Sequence, residues 1–378
     1  MLRARHLTLI AGVAAAALVL SACSSTSSTT AAPSSSAAPS SSAATSGPAT
    51  SAAAPAADLF PAMTGDPTTV KLGMAYDGPK GDRSFTDSAA RGVTAATGKG
   101  VKLVAELAAT VGEADQKKVD RLSQLVDQGA NTIIAVGFDY ATAMGTVAKA
   151  NPKVHFAIVD DNSLAKVANV ASLTFAAEQS SFLVGVAAAL KSKSAHVGFI
   201  GGVNTPLIQT FQAGFDAGAK AGKASIKIDD KYITEPPDFS GFNAPDKGET
   251  IAKGMYGGGA DVVYSAAGGS GNGVFKAALA GGKLAIGVDS DQYLLTTASA
   301  GQATIMTSAV KNVDVAVYNM IASVAAGKPL AGVQVYDLKN GGVGYSTSGG
   351  AIDDIKAQLE DYKAKIIAGT ITVPTTLK

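Results

Sequence analysis

Few residues in this sequence can do chemistry, and most of those are acids. Cys occurs once, at Cys23, and His three times in 378 residues. This excludes a disulfide framework and a Cys- or His-rich metal site. Gly269-Ser270-Gly271-Asn272-Gly273 approaches a dinucleotide fingerprint, but position 274 is Val where the third Gly belongs. Ser308 and Lys311 have the S-x-x-K spacing of penicillin-binding enzymes, without the companion S-D-N and K-T-G triplets. There is no P-loop, H-E-x-x-H or G-x-S-x-G pattern. His155 lies inside an apolar run and His196 begins one, which reads as structural. No cofactor is expected. What remains is a set of carboxylates, glycines and one ring that follow apolar runs: Asp77, Phe138-Asp139, Asp160-Asp161, Gly201-Gly202, Gly268-Gly269 and Asp289. Carboxylates accept hydrogen bonds, and bare glycine backbone allows close approach. Such acids suit the recognition of a solute. They could also serve as an acid–base pair, so residue types alone leave a hydrolase open.

The elements that place these residues alternate between two periods. Residues 70–75, 101–107, 132–136 and 154–159 are short apolar runs that read as strands. Between them, residues 85–96, 116–128 and 141–150 have helical spacing. The rhythm restarts downstream, with helices at 178–191, 207–221 and 246–256 and strands at 196–200, 226–232, 261–264 and 284–288. A late helix at 352–368 puts Ile352, Ile355, Leu359, Ile366 and Ile367 on one face, with Asp353 and Asp354 in its first turn and Gly369 beyond its end. Continuous apolar strands alternating with helices imply parallel sheets covered on both faces. In such sheets a ligand lies beyond the carboxyl ends of the strands, where the acids and glycines fall.

Composition sets the outer limits. Lys and Arg number 31 against 30 Asp and Glu, without the basic excess of a nucleic-acid binder. The first 22 residues start basic (Arg3, Arg5, His6) and continue as an apolar run from Leu7 to Leu20, the pattern of an export signal. Leu20-Ser21-Ala22-Cys23 looks like a bacterial lipobox, in which cleavage leaves Cys23 as a diacylglycerol-bearing N-terminus; palmitate is among the expected acyl chains. Residues 23–67 hold that Cys and a stretch of Ser, Ala, Thr and Pro that cannot bury enough surface to order itself, and they read as a disordered tether. The body divides into a first lobe at 68–175, joined again by about 290–320, and a second lobe at 176–289, joined again by about 321–378.

The body resembles the basic membrane protein family of ABC-transporter substrate-binding lipoproteins, whose nucleoside-binding members are purine receptors. The resemblance covers about residues 70–345. It is carried by Asp82-Arg83-Ser84-Phe85-Thr86-Asp87, Gly137-Phe138, Phe156-Ala157-Ile158-Val159-Asp160 and Glu178-Gln179-Ser180-Ser181-Phe182-Leu183-Val184-Gly185. Val197-Gly198-Phe199-Ile200-Gly201-Gly202, Phe211-Gln212-Ala213-Gly214-Phe215, Gly287-Val288-Asp289-Ser290-Asp291-Gln292 and Thr307-Ser308-Ala309-Val310-Lys311 follow in order. It implies a type I periplasmic-binding-protein fold, α/β, with two doubly wound Rossmann-like lobes and a ligand cleft between them. It also implies no enzymatic activity. By resemblance Phe85 and Phe242 clamp a base, with Phe239 a competitor for the second place. Asp289 and Lys311 bind ribose with Asp77 beside them, Asp160 or Asp161 reads the base edge, and Gly268 and Gly269 let backbone approach. Thr86 stands where the family usually has Asn, which shortens one polar contact. The implied partners are a nucleoside, a membrane ABC permease and, through the lipid, the extracytoplasmic face of the cell membrane. The protein is expected to act as a monomer and to bind no nucleic acid. A sugar or other small-solute receptor, a nucleoside hydrolase and a protein-binding surface lipoprotein are the rival readings.

Overall fold

The computed structural model describes residues 59–377. The expected export signal, the lipobox at Cys23 and most of the expected tether lie outside them. The chain builds β1 (Lys71–Tyr76), α1 (Phe85–Thr97), β2 (Lys102–Ala108), α2 (Asp115–Asp127), β3 (Thr132–Val136), α3 (Ala141–Ala150), β4 (His155–Val159) and β5 (Val170–Phe175). It continues through α4 (Ala177–Lys191), β6 (His196–Val203), α5 (Pro206–Gly222), β7 (Lys227–Thr234), α6 (Pro245–Gly257), β8 (Val262–Ala266), α7 (Gly271–Gly281) and β9 (Leu284–Asp289). Last come α8 (Gln292–Leu295), β10 (Ile305–Lys311), α9 (Val313–Ala325), β11 (Gly332–Tyr336), β12 (Val343–Tyr345) and α10 (Lys356–Ile367).

Two six-stranded sheets result. Their orders are β11-β5-β4-β3-β1-β2 and β12-β10-β9-β8-β6-β7. All pairings are parallel except β10 with β12, where Ala309 faces Tyr345 across an antiparallel ladder. The central strands β3, β6 and β8 are buried along their whole length. That is why they read as unbroken apolar runs: helices cover both faces of each sheet. The edge strands β2 and β7 are half-exposed and carry charge, a usual protection against edge-to-edge pairing.

The lobe boundaries need two corrections. Residues 290–311 do not return to the first lobe, because β10 pairs with β9 in parallel from Ile305 with Ala285 to Val310 with Asp289, with one register shift between Ile305 and Thr307. The chain re-enters the first lobe only at α9, which packs on α1 through Val313, Ala316, Val317 and Met320. Residues 321–378 also divide. The end of α9 and β11 stay in the first lobe, with β11 beside β5. β12 and α10 complete the second lobe, where Leu359 and Ile366 bury and Tyr362 meets Phe182. Ile367, expected on the buried face of α10, is 41% exposed. The first turn expected at 352–355 is a tight 3-10 turn, Asp353–Ile355, ahead of the α-helix.

The chain therefore crosses between lobes at Ala176, at Asn312 and again between β11 and β12. The crossings lie side by side. Ala176 N–H donates to Tyr336 O at 2.8 Å, Asn312 N–H to Gly342 O at 2.9 Å, and Leu338 N–H to Gln179 Oε1 at 3.0 Å. Phe175 stacks on Tyr336 at 5.2 Å. Hydrogen-bonded short crossovers between two sheets form a hinge.

Candidate functional site

In each sheet the strand order reverses once. In the first this happens between β1 and β3, and in the second between β6 and β8. A crevice opens beyond the carboxyl ends of strands at such points. Here the crevices face a cavity of about 570 Å³ between the lobes. Asp77, Phe85, Thr86, Asp160, Phe242, Gly268, Asp289 and Lys311 all line it. So do Asp139, Gly269 and Phe239.

Phe85 is placed by the loop that precedes it. Asp82 Oδ1 accepts from the Ser84 and Asp87 N–H groups at 3.0 and 3.1 Å, and Oδ2 from Thr86 N–H at 2.9 Å. Asp87 answers, accepting from Gly81 and Arg83 N–H, both at 2.8 Å. These reciprocal bonds satisfy the orphan donors of the first turn of α1. They hold Arg83 at φ 57° and leave Phe85 as the first helical residue. Thr86 is buried beside it. Ser84 reaches across to the other lobe, its hydroxyl donating to Asp289 Oδ2 at 2.7 Å.

Phe242 comes from the opposite lobe, in the turn after β7. Its ring packs against β6 at Gly202, where a Cβ would come within 2.4 Å of Phe242 Cδ1. Ser270 Oγ donates to Gly241 O and accepts from Ala244 N–H, each at 2.7 Å, pinning the turn. Phe239, the competitor for this place, instead meets Phe138 of the first lobe edge-on at 6.0 Å.

The polar centre of the cleft is Lys311, at the end of β10. Its Nζ lies 2.6 Å from Asp160 Oδ2 and 3.5 Å from Asp289 Oδ1, with the lysine side chain 3% exposed. The ammonium also sits 4.4 Å from the Phe85 ring centre, 5.4 Å from Phe175 and 5.6 Å from Phe211. Burial works against its charge, but Asp160 and Asp289 outweigh that and hold its pKa above the ordinary lysine value. Burial pushes Asp289 up, while Lys311 and Ser84 pull it back in part. Asp289 Oδ1 is buried and receives no hydrogen bond. The acids sort differently from the expectation. Asp160, not Asp77, shares Lys311 with Asp289. Asp161 is a local cap, accepting from Ser163 N–H at 2.9 Å. Asp77 stands with Asp139 at the ends of β1 and β3. Burial, then Asp139, Asp82 and Asp160, hold the Asp77 carboxyl well above the usual carboxylate range.

Several lining residues carry no signal that sequence alone could expose. Lys118, from α2, ion-pairs with Asp139 Oδ2 at 2.9 Å. Phe211 is an apolar residue inside α5. Asn243 follows the turn that carries Phe242, and Asn272 is the second residue of α7. Only topology brings them to the cleft. Of the motifs set aside, Ser308 and Lys311 lie three apart on a strand and point to opposite faces. His196 Nε2 pairs with Asp229 at 2.6 Å, a structural contact.

Two facing α/β lobes, a hydrogen-bonded hinge and an aromatic, acid-lined cleft define a solute-binding protein of the type I periplasmic fold. The family described as PnrA-like ABC transporter substrate-binding proteins matches residues 69–376, and the chain belongs to it. It binds a substrate for a transporter and is not an enzyme. It is 39% identical over 275 residues to the CD4+ T-cell-stimulating antigen of Listeria monocytogenes, covering 69% of this chain and 74% of that one. It is 39% identical over 261 residues to the ABC transporter nucleoside-binding protein BmpA of Lactococcus lactis, covering 66% and 72%. Basic membrane protein A1 of Borrelia garinii is 30% identical over 314 residues, covering 80% of this chain and 88% of its own. An ABC transporter solute-binding protein of Aeropyrum pernix superposes with a TM-score of 0.70 at 26% identity, covering 82% and 94%.

Proposed function

We propose that the protein is a lipid-anchored receptor on the extracytoplasmic face of the membrane that captures a purine nucleoside and hands it to an ABC permease. The observation that carries this reading is the buried Asp289 Oδ1, left without a hydrogen bond beside Lys311 and the Phe85 ring. A buried carboxylate oxygen whose charged neighbour stands 3.5 Å away is under-satisfied, and a ligand hydroxyl would complete its hydrogen bonding. Vicinal ribose hydroxyls fit a carboxylate with a lysine beside it: they donate to Asp289 and accept from Lys311. Phe85 and Phe242 reach the cleft from opposite lobes, so a flat base between them would be held only when the lobes close. Base–aromatic stacking is worth ~1–3 kcal/mol per base in nucleic-acid binders.

The charge of the cleft supports a nucleoside over a nucleotide. Asp77, Asp82, Glu113, Asp115, Asp139, Asp160 and Asp289 outnumber Lys80, Lys118 and Lys311 along its walls. A phosphate would meet that field unfavourably. The nucleoside-binding relative from Lactococcus supports the ligand class. Leu20-Ser21-Ala22-Cys23 supports the anchor. Two acyl chains hold a protein at a membrane where one is marginal.

A thermal-shift screen of the refolded protein tests this. Guanosine, inosine or adenosine should raise the melting temperature by mass action, and ribose or free base should not. A response to sugars alone would keep the transport role and discard the nucleoside. Release of free base during incubation would point to hydrolysis instead.

A further inference from the structure

We infer that Arg91, outside the cleft, is a positioning residue for its polar centre: one guanidinium holds the segments that follow Asp289 and Lys311 and ties both to α1, clasping the two lobes from behind. Any solute that meets Asp289 and Lys311 would depend on it, nucleoside or not. Asp289 needs such support. Its φ is 61°, a left-handed conformation that favours glycine, and the Ser290 N–H closes a tight turn on Val288 O at 2.7 Å. Side chains of the first lobe brace this turn. Ser84 Oγ, which donates to Asp289 Oδ2, also lies 3.1 Å from Val288 O. Ser290, 1% exposed, donates its hydroxyl to Ser84 O at 2.8 Å and accepts from Arg91 Nη2 at 3.1 Å.

The same guanidinium also reaches α9. Arg91 Nε donates to Asp314 Oδ2 at 3.2 Å, and Asp314 stands in the first turn of that helix, shortly after Lys311. Arg91 shares a face of α1 with Ser88 and Gly92. Ser88 Oγ accepts from Asp314 N–H at 3.3 Å, and a Cβ at Gly92 would come within 2.4 Å of Asp314 O, so α1 rests directly on the backbone that leaves Lys311. Burial raises the Asp314 pKa, and Arg91 is the largest influence pulling it back. The Arg91 side chain is 39% exposed and does not line the cavity, so it acts through its neighbours and not on solute. α1 begins with Phe85, whose ring centre lies 4.4 Å from Lys311 Nζ. The clasp therefore sets how the ring of one lobe stands over the Lys311 and Asp289 of the other. Only a forked side chain can do this. A lysine ammonium is a point charge that would keep the ion pair and lose the bond to Ser290.

Calorimetry and stopped-flow binding of inosine, guanosine and adenosine to the refolded protein, alongside melting curves, test this. Arg91→Lys keeps a cation beside Asp314 and should melt close to the parent. It should nevertheless bind roughly tenfold more weakly, with the loss in the dissociation rate. Ser290→Ala leaves the Arg91–Asp314 pair whole and should show the same loss, and the double variant should cost little more than either alone. Parental affinity in both single variants would overturn the clasp, and so would losses that add in full. A fall in melting temperature with no change in affinity would make Arg91 a structural residue only. Should Arg91→Lys fail to fold, Ser290→Ala decides alone. The ligand-free protein gives a second readout. In either variant deuterium uptake should quicken over residues 80–90 and 286–295 and stay unchanged in β3. If no nucleoside binds the parent, the nucleoside reading falls by itself, and the clasp falls with it only if this uptake also matches the parent's.

Discussion

Replacing Lys311 by Met should cost stability at neutral pH and much less in acid. At 2.6 Å from Asp160 and 3.5 Å from Asp289, the gross attractions are about 6 and 5 kcal/mol at an effective dielectric near 20. Desolvation of the ions offsets much of this. Breaking a buried pair from one side nevertheless costs about 3–5 kcal/mol, because the remaining charge is left uncompensated. At about 2–4 °C per kcal/mol the melting temperature should fall by roughly 6–20 °C. The pH dependence follows from Asp289. Burial already raises its pKa, and Lys311 is the largest influence pulling it back. Without the ammonium it rises further. A carboxyl raised in the folded state binds its proton more tightly there than in the unfolded chain. Its penalty is absent below the ordinary carboxylate range and appears as pH climbs above it. Melting curves of both proteins from pH 4 to 8 would show the deficit opening with pH. A variant as stable as the parent at pH 7.5, or a deficit of equal size at pH 4, would refute the reasoning. Adding Asp160→Asn to Lys311→Met should recover part of the loss, and strict additivity would mean that the pair is not coupled.

Other expectations follow from the same geometry. Asp289→Ala should weaken nucleoside binding roughly ten- to a hundredfold by calorimetry, the value of one or two charge-assisted hydrogen bonds; unchanged affinity would remove Asp289 from the site. Phe85→Ala should weaken purine and pyrimidine nucleosides alike by ~1–3 kcal/mol of lost stacking, and a loss confined to purines would make Phe85 a selectivity element. Gly202→Ala should drive the Phe242 ring from its seat and weaken nucleoside binding, with ribose-dependent contacts retained; wild-type affinity would show that the turn yields freely. Asp216, on α5, is raised to about 7 by burial and by Asp230 on β7. Its protonated form is favoured in the fold, so stability should decline as pH rises from about 4 through 7. Asp216→Asn should therefore melt above the parent at pH 8 and level with it near pH 4.

Sequence made the alternation of β1 to β4 legible because β1, β3 and β4 are buried along almost their whole length and the strands are separated by helices of clear period. Later elements hid for physical reasons. β10 reads Ile-Met-Thr-Ser-Ala-Val-Lys, yet Thr307 and Ser308 are fully buried. Their polar groups are met by Ser346, whose carbonyl accepts from the Thr307 hydroxyl and whose hydroxyl accepts from Ser308 N–H. No local pattern announces such a strand. α7 begins Gly-Asn-Gly, which propensity assigns to a loop. β11 and β12 are short and lie beside crossovers, so their lobes are set by long-range pairing alone. The same distinction holds in the cleft. Strand-end acids were readable one at a time, but which acid shares Lys311 depends on how two sheets face each other. The resemblance to a family supplied Phe242, whose loop carries no periodic signal.

The side-by-side crossings also govern how this chain comes into being. Neither lobe is a continuous stretch of sequence. The first lacks α9 and its edge strand β11 until residue 336 has been made, and the second lacks β12 and α10 until residue 367. Val313, Val317 and Met320 of α9 fill the face of the first sheet that α1 leaves open. A nascent chain stopped at Lys311 would hold two sheets, each with an uncovered apolar face or an unpaired edge. Native pairings that span most of the sequence close slowly. Completion of both lobes is thus deferred almost to the end of synthesis, which keeps the chain pliable while it is being made.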